Sequence, residues 1–341
     1  MDAVSADRTL TQLFPLLRLA LWQEPLREEE LRDVLAFTQE DWDNLMTLAR
    51  EQTVTGLLYR AVALLPDEVN VPDSTILQLV SETDRIQRRY RTVTGVSDRL
   101  MQFLVSRGYH PVILKGSTCA ARYPQPDLRE AGDIDIYLPP EEFDAAVAGL
   151  GNTEEAPDGS RHYSMEGVDI DLHRRYFDLH VKPDRLPQVP SHEAELLMLS
   201  SHILKHAAGT GVGLRQCCDM ATAIHSIRVE PETMERWYHS TDTWRWNKMV
   251  YSFLEDYFHL PSPYPKADTS PLRRILLKGG NFGHYAAARN HELQRTPLRR
   301  KIGTAFRLLR QLPFSLRYAP QEAIPLLIEL TIGNAKTGRS S

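Results

Sequence analysis

Cysteine is scarce in this chain, long apolar runs are missing, and no internal repeat is visible. The 341 residues include three cysteines, Cys119, Cys217 and Cys218. The last two are adjacent on a helix-like segment, so neither a disulfide framework nor a two-residue-spaced zinc knuckle can be built. No stretch approaches the ~18 consecutive apolar residues that a membrane span needs. The segment through Trp22 places acidic residues ahead of its apolar part and lacks a small-residue cleavage pattern. We therefore expect a cytoplasmic chain with no transmembrane segment. What is present is an ordinary globular mixture, 42% hydrophobic and 25% charged, which excludes a disordered, collagenous or coiled-coil protein. The length suits about two domains and a sizeable core.

The net charge of -5 is unevenly distributed. Between Lys266 and Arg317 lie 12 basic residues against two acidic ones, Asp268 and Glu292, leaving -15 on the remainder. A polyanion would be met by that C-terminal segment rather than by the whole surface. Its stretch from Arg299 to Leu312 has apolar residues at three and four spacing (Ile302, Phe306, Leu309) with Arg299, Arg300, Lys301, Arg307 and Arg310 between them. This pattern suits a solvated helix face, a basic helix that draws a polyanion such as a nucleotide, an RNA or an acidic protein, or a helix lying on a membrane surface, for which the apolar stripe is narrow and lacks Trp.

From Leu10 to about Arg107 the apolar spacing is helical, with Thr38 and Asp41 forming a helix-start signal and one long helix expected from Ser81 to Ser106. The period then changes. Pro111–Leu114 and Asp133–Leu138 read as strands, Glu141–Leu150 as a helix closed by Gly151, and Arg161–Met165 with Val168–Leu172 as a hairpin across Glu166-Gly167. Helices resume at Ser191–Ala207, Leu214–Ile227, Pro231–His239 and Thr241–Phe258, and the proline-rich stretch from Pro261 to Pro271 reads as a linker. The expected fold is α+β, a small mixed sheet flanked by N-terminal and C-terminal helical regions. Its expected divisions are a helical region at 1–107, a catalytic core at 108–190, a second helical region at 191–260, and a linker with a basic helical tail at 261–341.

The chemistry concentrates in the β island. Strand alternation puts Asp133 and Asp135 on one face with Ile134 and Ile136 turned into a core, and puts Asp169, Asp171 and His173 on one face of the later strand. Carboxylates about 7 Å apart along one strand face repel unless cations neutralise them, and such oxygen ligands suit Mg²⁺. With a Gly116-Ser117 turn directly after a strand, the set is the minimal equipment for two-metal phosphoryl transfer. The turn amides would hold the triphosphate, Gly116 permitting close backbone approach. Lys115 and Arg129 are either phosphate ligands or structural partners of Asp133 or Asp127.

In order and type, Lys115-Gly116-Ser117, Asp133-Ile134-Asp135 and Asp171 resemble the polymerase-β-type nucleotidyltransferase superfamily. The spacer of 15 residues between Ser117 and Asp133 is longer than usual there. More narrowly, Leu114-Lys115-Gly116, Arg129, Gly132-Asp133-Ile134-Asp135, Ile170-Asp171-Leu172-His173, His202, His206, Leu214-Arg215-Gln216 and Asp219 resemble the bacterial uncharacterised nucleotidyltransferase family, over roughly residues 40 to 260. The resemblance implies transfer of an NMP from a Mg²⁺-bound NTP to a hydroxyl or phosphate acceptor with release of pyrophosphate. Two Mg²⁺ ions, replaceable by Mn²⁺, would be held by Asp133, Asp135 and Asp171. Lys115, Gly116, Ser117 and Arg129 would bind the nucleotide. Asp171 rather than Asp169 is the expected third metal ligand, with Asp169 a candidate base. The acceptor is open between a small molecule, a peptide or protein side chain, and an RNA end. The alternative is an inactive nucleotide-binding or interaction protein that keeps the fold.

His202 and His206 share a helical face. Three readings fit them: packing or hydrogen bonding beside the cleft, acceptor binding or acid–base work, and zinc ligation. His173 is tied to the cleft by strand alternation with Asp171. Arg215 and Asp219, four apart, read most simply as an ion pair on a helix face, and Cys217 and Cys218 as small core residues.

Overall fold

The helix-start signal at Thr38 works as the sequence implies. Thr38 Oγ1 accepts from the Asp41 amide at 3.2 Å, and Asp41 Oδ2 accepts from the Thr38 amide at 2.9 Å. In this computed structural model, residues 3–156, 159–180, 186–209, 211–279, 312–325 and 328 are described. Their order is α1 (Ala3–Trp22), α2 (Glu28–Leu35), α3 (Gln39–Glu51), α4 (Thr55–Val62), α5 (Asp73–Ser106), β1 (Val112–Ile113), α6 (Ser117–Ala120), a 3-10 turn (Pro126–Leu128), β2 (Ile134–Tyr137), α7 (Pro140–Leu150), β3 (Glu154–Glu155), β4 (Arg161–Met165), β5 (Val168–His173), α8 (His192–Ala208), α9 (Leu214–Ser226), α10 (Pro231–Ser240), α11 (Trp244–Phe258) and α12 (Ser270–Gly279). Residues 312–318 and 320–325 are helical as well. This is the expected α+β arrangement.

The five strands form one mixed sheet in the order β1-β2-β5-β4-β3. β2 runs parallel to β5 with Ile134 opposite Ile170 and Asp135 opposite Asp171, and every other pairing is antiparallel. Ile134, Ile136, Val168, Ile170 and Leu172 are buried against Val96, Leu100 and Leu104 of α5 and Phe143 of α7. A slip of one residue would exchange these apolar side chains for carboxylates, so burial of one face fixes the register. The acidic face is thereby turned away from α5 and α7. A second, larger core joins the two helical parts of the chain: Leu13 and Leu17 of α1, Trp42 of α3 and Leu58 of α4 pack with Leu197 of α8, Met220 of α9 and Phe253 of α11.

Two expectations need correction. The long helix begins at Asp73, eight residues before Ser81. Its first turns bury Thr75 and Leu79 but leave Leu77 70% and Val80 49% exposed, so polar and apolar residues share the buried face and the apolar spacing there does not mark it. The proline-rich stretch is also no loose linker. Tyr264 is buried and its hydroxyl donates to Pro231 O at 3.2 Å, the Ala267 amide donates to Ser252 Oγ at 2.9 Å, and Leu272 and Leu276 of α12 enter the larger core. Aromatic packing against α10 and α11 holds it down. The basic stretch at 299–311 lies outside the described residues.

Gly56, in the first turn of α4, lies against the 3-10 turn that leads to β2. A β-carbon there would fall 2.1 Å from Leu128 O, a backbone atom with little room to move. Gly56→Ala should therefore lower stability by about 1–3 kcal/mol. Urea unfolding measures it, and an unchanged or raised midpoint would show that α4 can separate from Leu128 at no cost.

Candidate functional site

The acidic face of the sheet and the facing sides of α8 and α9 enclose a cavity of about 340 Å³. Lys115, Gly116, Asp133, Asp135, His162, Asp171, His173, Asp178, His202, His206, Arg215 and Gln216 are among the residues lining it. Gly116 ends the short run after β1 with φ +72°, a left-handed conformation that glycine adopts without the penalty of a side chain. Ser117 begins α6 and lines a small adjoining hollow of about 10 Å³ on the α5 side, which shares Gly116 and Asp133 with the main cavity.

The parallel register brings Asp135 and Asp171 side by side, and one ligand atom each from Asp135, Asp171 and His173 lie within 4.8 Å of one another. Asp135 is buried and already compensated: Lys115 Nζ lies 3.1 Å and His173 Nε2 3.0 Å from its Oδ1. Burial opposes its charge, but Lys115 and the His173 hydrogen bond outweigh burial and hold the carboxyl far below the usual range. The same Asp135 keeps His173 above the ordinary imidazole value despite burial. Asp171 differs. Burial and the facing Asp135 lift it above the usual carboxylate range, although His162 Nδ1 hydrogen-bonds its Oδ1 at 2.8 Å. A pair of acids in which one is pushed towards protonation is short of positive charge, and two carboxylates with an imidazole form a donor set that fits a divalent metal. Asp133 lies just before β2, exposed, and lines the same cavity. Asp169 shares the face of Asp171 but its side chain is 64% exposed, with His162 Nε2 at 3.8 Å, and it faces Ser164 on β4.

A second polar cluster stands on the helical wall. Lys115 Nζ lies 3.3 Å from His202 Nε2, Asp178 Oδ2 lies 3.0 Å from His202 Nδ1, and His206 Nε2 lies 3.1 Å from His202 Nε2. Lys205 Nζ adds a contact of 3.0 Å to Asp178 Oδ1. Burial and the Lys115 charge lower the pKa of His202, while its hydrogen bond with Asp178 opposes them. Burial and His202 lower His206 further. Despite burial, Lys205 and His202 keep Asp178 ionised well below the normal range. Both histidines of the pair thus make hydrogen bonds beside the cleft.

Arg129 corrects another expectation. Its partner is neither Asp133 nor Asp127: Nε and Nη2 each donate at 2.7 Å to the two oxygens of Asp219, and Tyr123 OH donates to Asp219 Oδ1 at 2.7 Å. Asp127 instead accepts from Gln87 Nε2 at 2.8 Å. Lys115 likewise pairs with Asp135 rather than with Asp133 or Asp127. The Arg215–Asp219 pair is not a solvated helix face, since both residues are buried and Arg215 Nη1 donates to Glu130 O at 2.9 Å. A bidentate pair sealed from water explains why Asp219 turns to Arg129.

Sequence reasoning missed His162 and Asp178. The first was recoverable: the two-residue turn at Glu166-Gly167 pairs Met165 with Val168, and counting back sets His162 opposite Asp171. Asp178 follows β5 in an irregular loop and carries no periodic signal.

A glycine turn, two acids paired across parallel strands and a facing helical wall suit transfer to or from a phosphate. The chain belongs to the family of uncharacterised nucleotidyltransferases, whose family model matches residues 38–256. Searches of curated proteins and of solved structures each returned no match. Among the described residues no helix is long and apolar enough to cross a membrane.

Because Arg129 and Asp219 are both buried, removing one strands the other. Arg129→Ala should cost about 3–5 kcal/mol, and Arg129→Lys less. Chemical denaturation checks this, and a cost within ~1 kcal/mol, as for an exposed pair, would show that water reaches the site.

Proposed function

We propose that the protein transfers an NMP group from an NTP such as ATP to a hydroxyl or phosphate acceptor, acting in the cytoplasm. The observation that carries this reading is Asp135 set opposite Asp171 across parallel strands, in a cavity that also contains the Gly116 turn. The acceptor oxygen forms a bond to the α-phosphorus while the bond from that phosphorus to the oxygen bridging to the β-phosphate breaks. Pyrophosphate leaves, and a hydroxyl acceptor gives up its proton. Asp135 and Asp171, with Asp133 at the rim and His173 as a nitrogen donor, would hold Mg²⁺ or Mn²⁺. Such ions neutralise triphosphate charge and polarise the phosphoryl oxygen when bound.

The remaining steps belong to the chain. Lys115 fixes the Asp135 carboxylate, and His162 orients Asp171. Gly116, whose added β-carbon would meet nothing nearer than Asp133 O at 3.7 Å, leaves the backbone open to a phosphate. The apolar Leu199 and Ile203 help to line the cavity and reduce water around the reacting groups.

Incubation with each NTP, Mg²⁺ and cell lysate, followed by mass spectrometry for NMP adducts, tests the reading. Asp135→Asn and Asp171→Asn should each cut adduct formation at least ~100-fold, while Asp169→Asn stays near the parent rate. Adducts formed equally well by the Asp135 and Asp171 variants would overturn it.

A further inference from the structure

The first turn of α9 carries an arrangement that neither the paired acids nor the Gly116 turn uses. Gln216 sits at the third position of that helix, 4% exposed, and lines the cavity. Its Oε1 is occupied, accepting from the Gly213 amide at 2.6 Å. Its Nε2 is buried and has no acceptor among the described residues. Leaving a buried amide donor in that state is costly, so a donor kept so beside a polar cavity points to an acceptor supplied from outside the chain.

The preceding residue, Arg215, supplies charge at the same place. Its Nη1 lies 3.8 Å from the position a β-carbon on Gly132 would take, directly before Asp133, and Asp133 O in turn faces Gly116. Arg215 therefore stands beside the glycine turn at the carboxylate end of the sheet. Burial and the nearby Arg129 push its guanidinium below the ordinary value, with Asp219, Glu130 and Asp133 only partly offsetting them. A bound anion would favour its charged form against that burial. The helix itself adds to this: α9 is 13 residues long, and its N-terminal end, where both side chains sit, is electropositive. The backbone amides at this end are already used, Leu214 N donating to Gln52 Oε1 at 2.9 Å and Arg215 N to Gln52 O at 3.3 Å. The side chains are therefore what the end offers a ligand.

We propose that Gln216 Nε2 and the Arg215 guanidinium form a polyphosphate subsite that grips the leaving pyrophosphate portion of the NTP. This rests on the nucleotidyl-transfer reading above. It gives the grip to the helical wall as well as to the glycine turn.

Gln216→Glu isolates the donor, because it retains the oxygen that caps Gly213 and replaces Nε2 with a second acceptor. Calorimetric titration of the full chain with Mg²⁺-ATP, inorganic tripolyphosphate and AMP should show a ~10–100-fold loss for the first two ligands and little change for AMP, at an unchanged melting temperature. Gln216→Leu, which removes the donor without adding charge, should lose less, and it serves if the glutamate variant does not fold. Parent-like binding of ATP and tripolyphosphate by both variants would overturn the subsite while leaving nucleotidyl transfer standing. An equal loss for AMP would also overturn it, reassigning Nε2 to the α-phosphate, sugar or base. A parent protein that binds none of the NTPs would remove the functional reading and the subsite together.

Discussion

The parallel pairing of β2 with β5 governs the rest of the site. It joins residues far apart in sequence and sets Asp135 against Asp171 at a separation that neither strand could achieve alone. The apolar residues that alternate with these acids force the register, because their burial against α5 and α7 leaves the carboxylates on the other side. The same alternation that builds the core therefore builds the polar face, and neither can shift without the other. Lys115 makes the crowding of acids tolerable by sitting between Asp135 and the Asp178–His202 cluster, so that the sheet and α8 share one cation.

The helical parts are more than a frame for the sheet. Arg129, from the segment between the 3-10 turn and β2, is held by Asp219 of α9, and Tyr123 closes the same knot. Glu130 accepts from the Thr55 amide of α4 at 3.1 Å while its carbonyl receives Arg215. Adjacent residues just ahead of β2 thus tie it to helices from both ends of the chain. Pairs this deeply buried bring little net stability over an apolar equivalent, and what they fix is position.

Much of this was legible in the sequence wherever one strong periodic signal operated. The alternation around Ile134 and Ile136, the turn at Glu166-Gly167 and the cap at Thr38 each gave the right element, since local chemistry and tertiary burial agree there. The paired acids and the wall histidines were visible for the same reason. Legibility failed where a partner was chosen across long distance. Nothing near Arg129 announces Asp219, ninety residues on, and an arginine with two nearby acids looks locally provided for. Asp178 was invisible because a loop has no period. The start of α5 was misread because Leu77 and Val80 face solvent, where apolar spacing no longer means burial.

The loop carrying Asp178 is fastened from an unexpected quarter. Glu322, itself buried, accepts from the His180 amide through both oxygens at 2.9 and 2.8 Å, and its Oε2 meets His180 Nδ1 at 2.8 Å. The two residues stand 142 positions apart. The Asp178 loop is thereby gripped at two points two residues apart, Asp178 by His202 and Lys205 of α8 and His180 by the C-terminal helical segment, so the cleft's wall depends on chain that lies far beyond the family-matched residues.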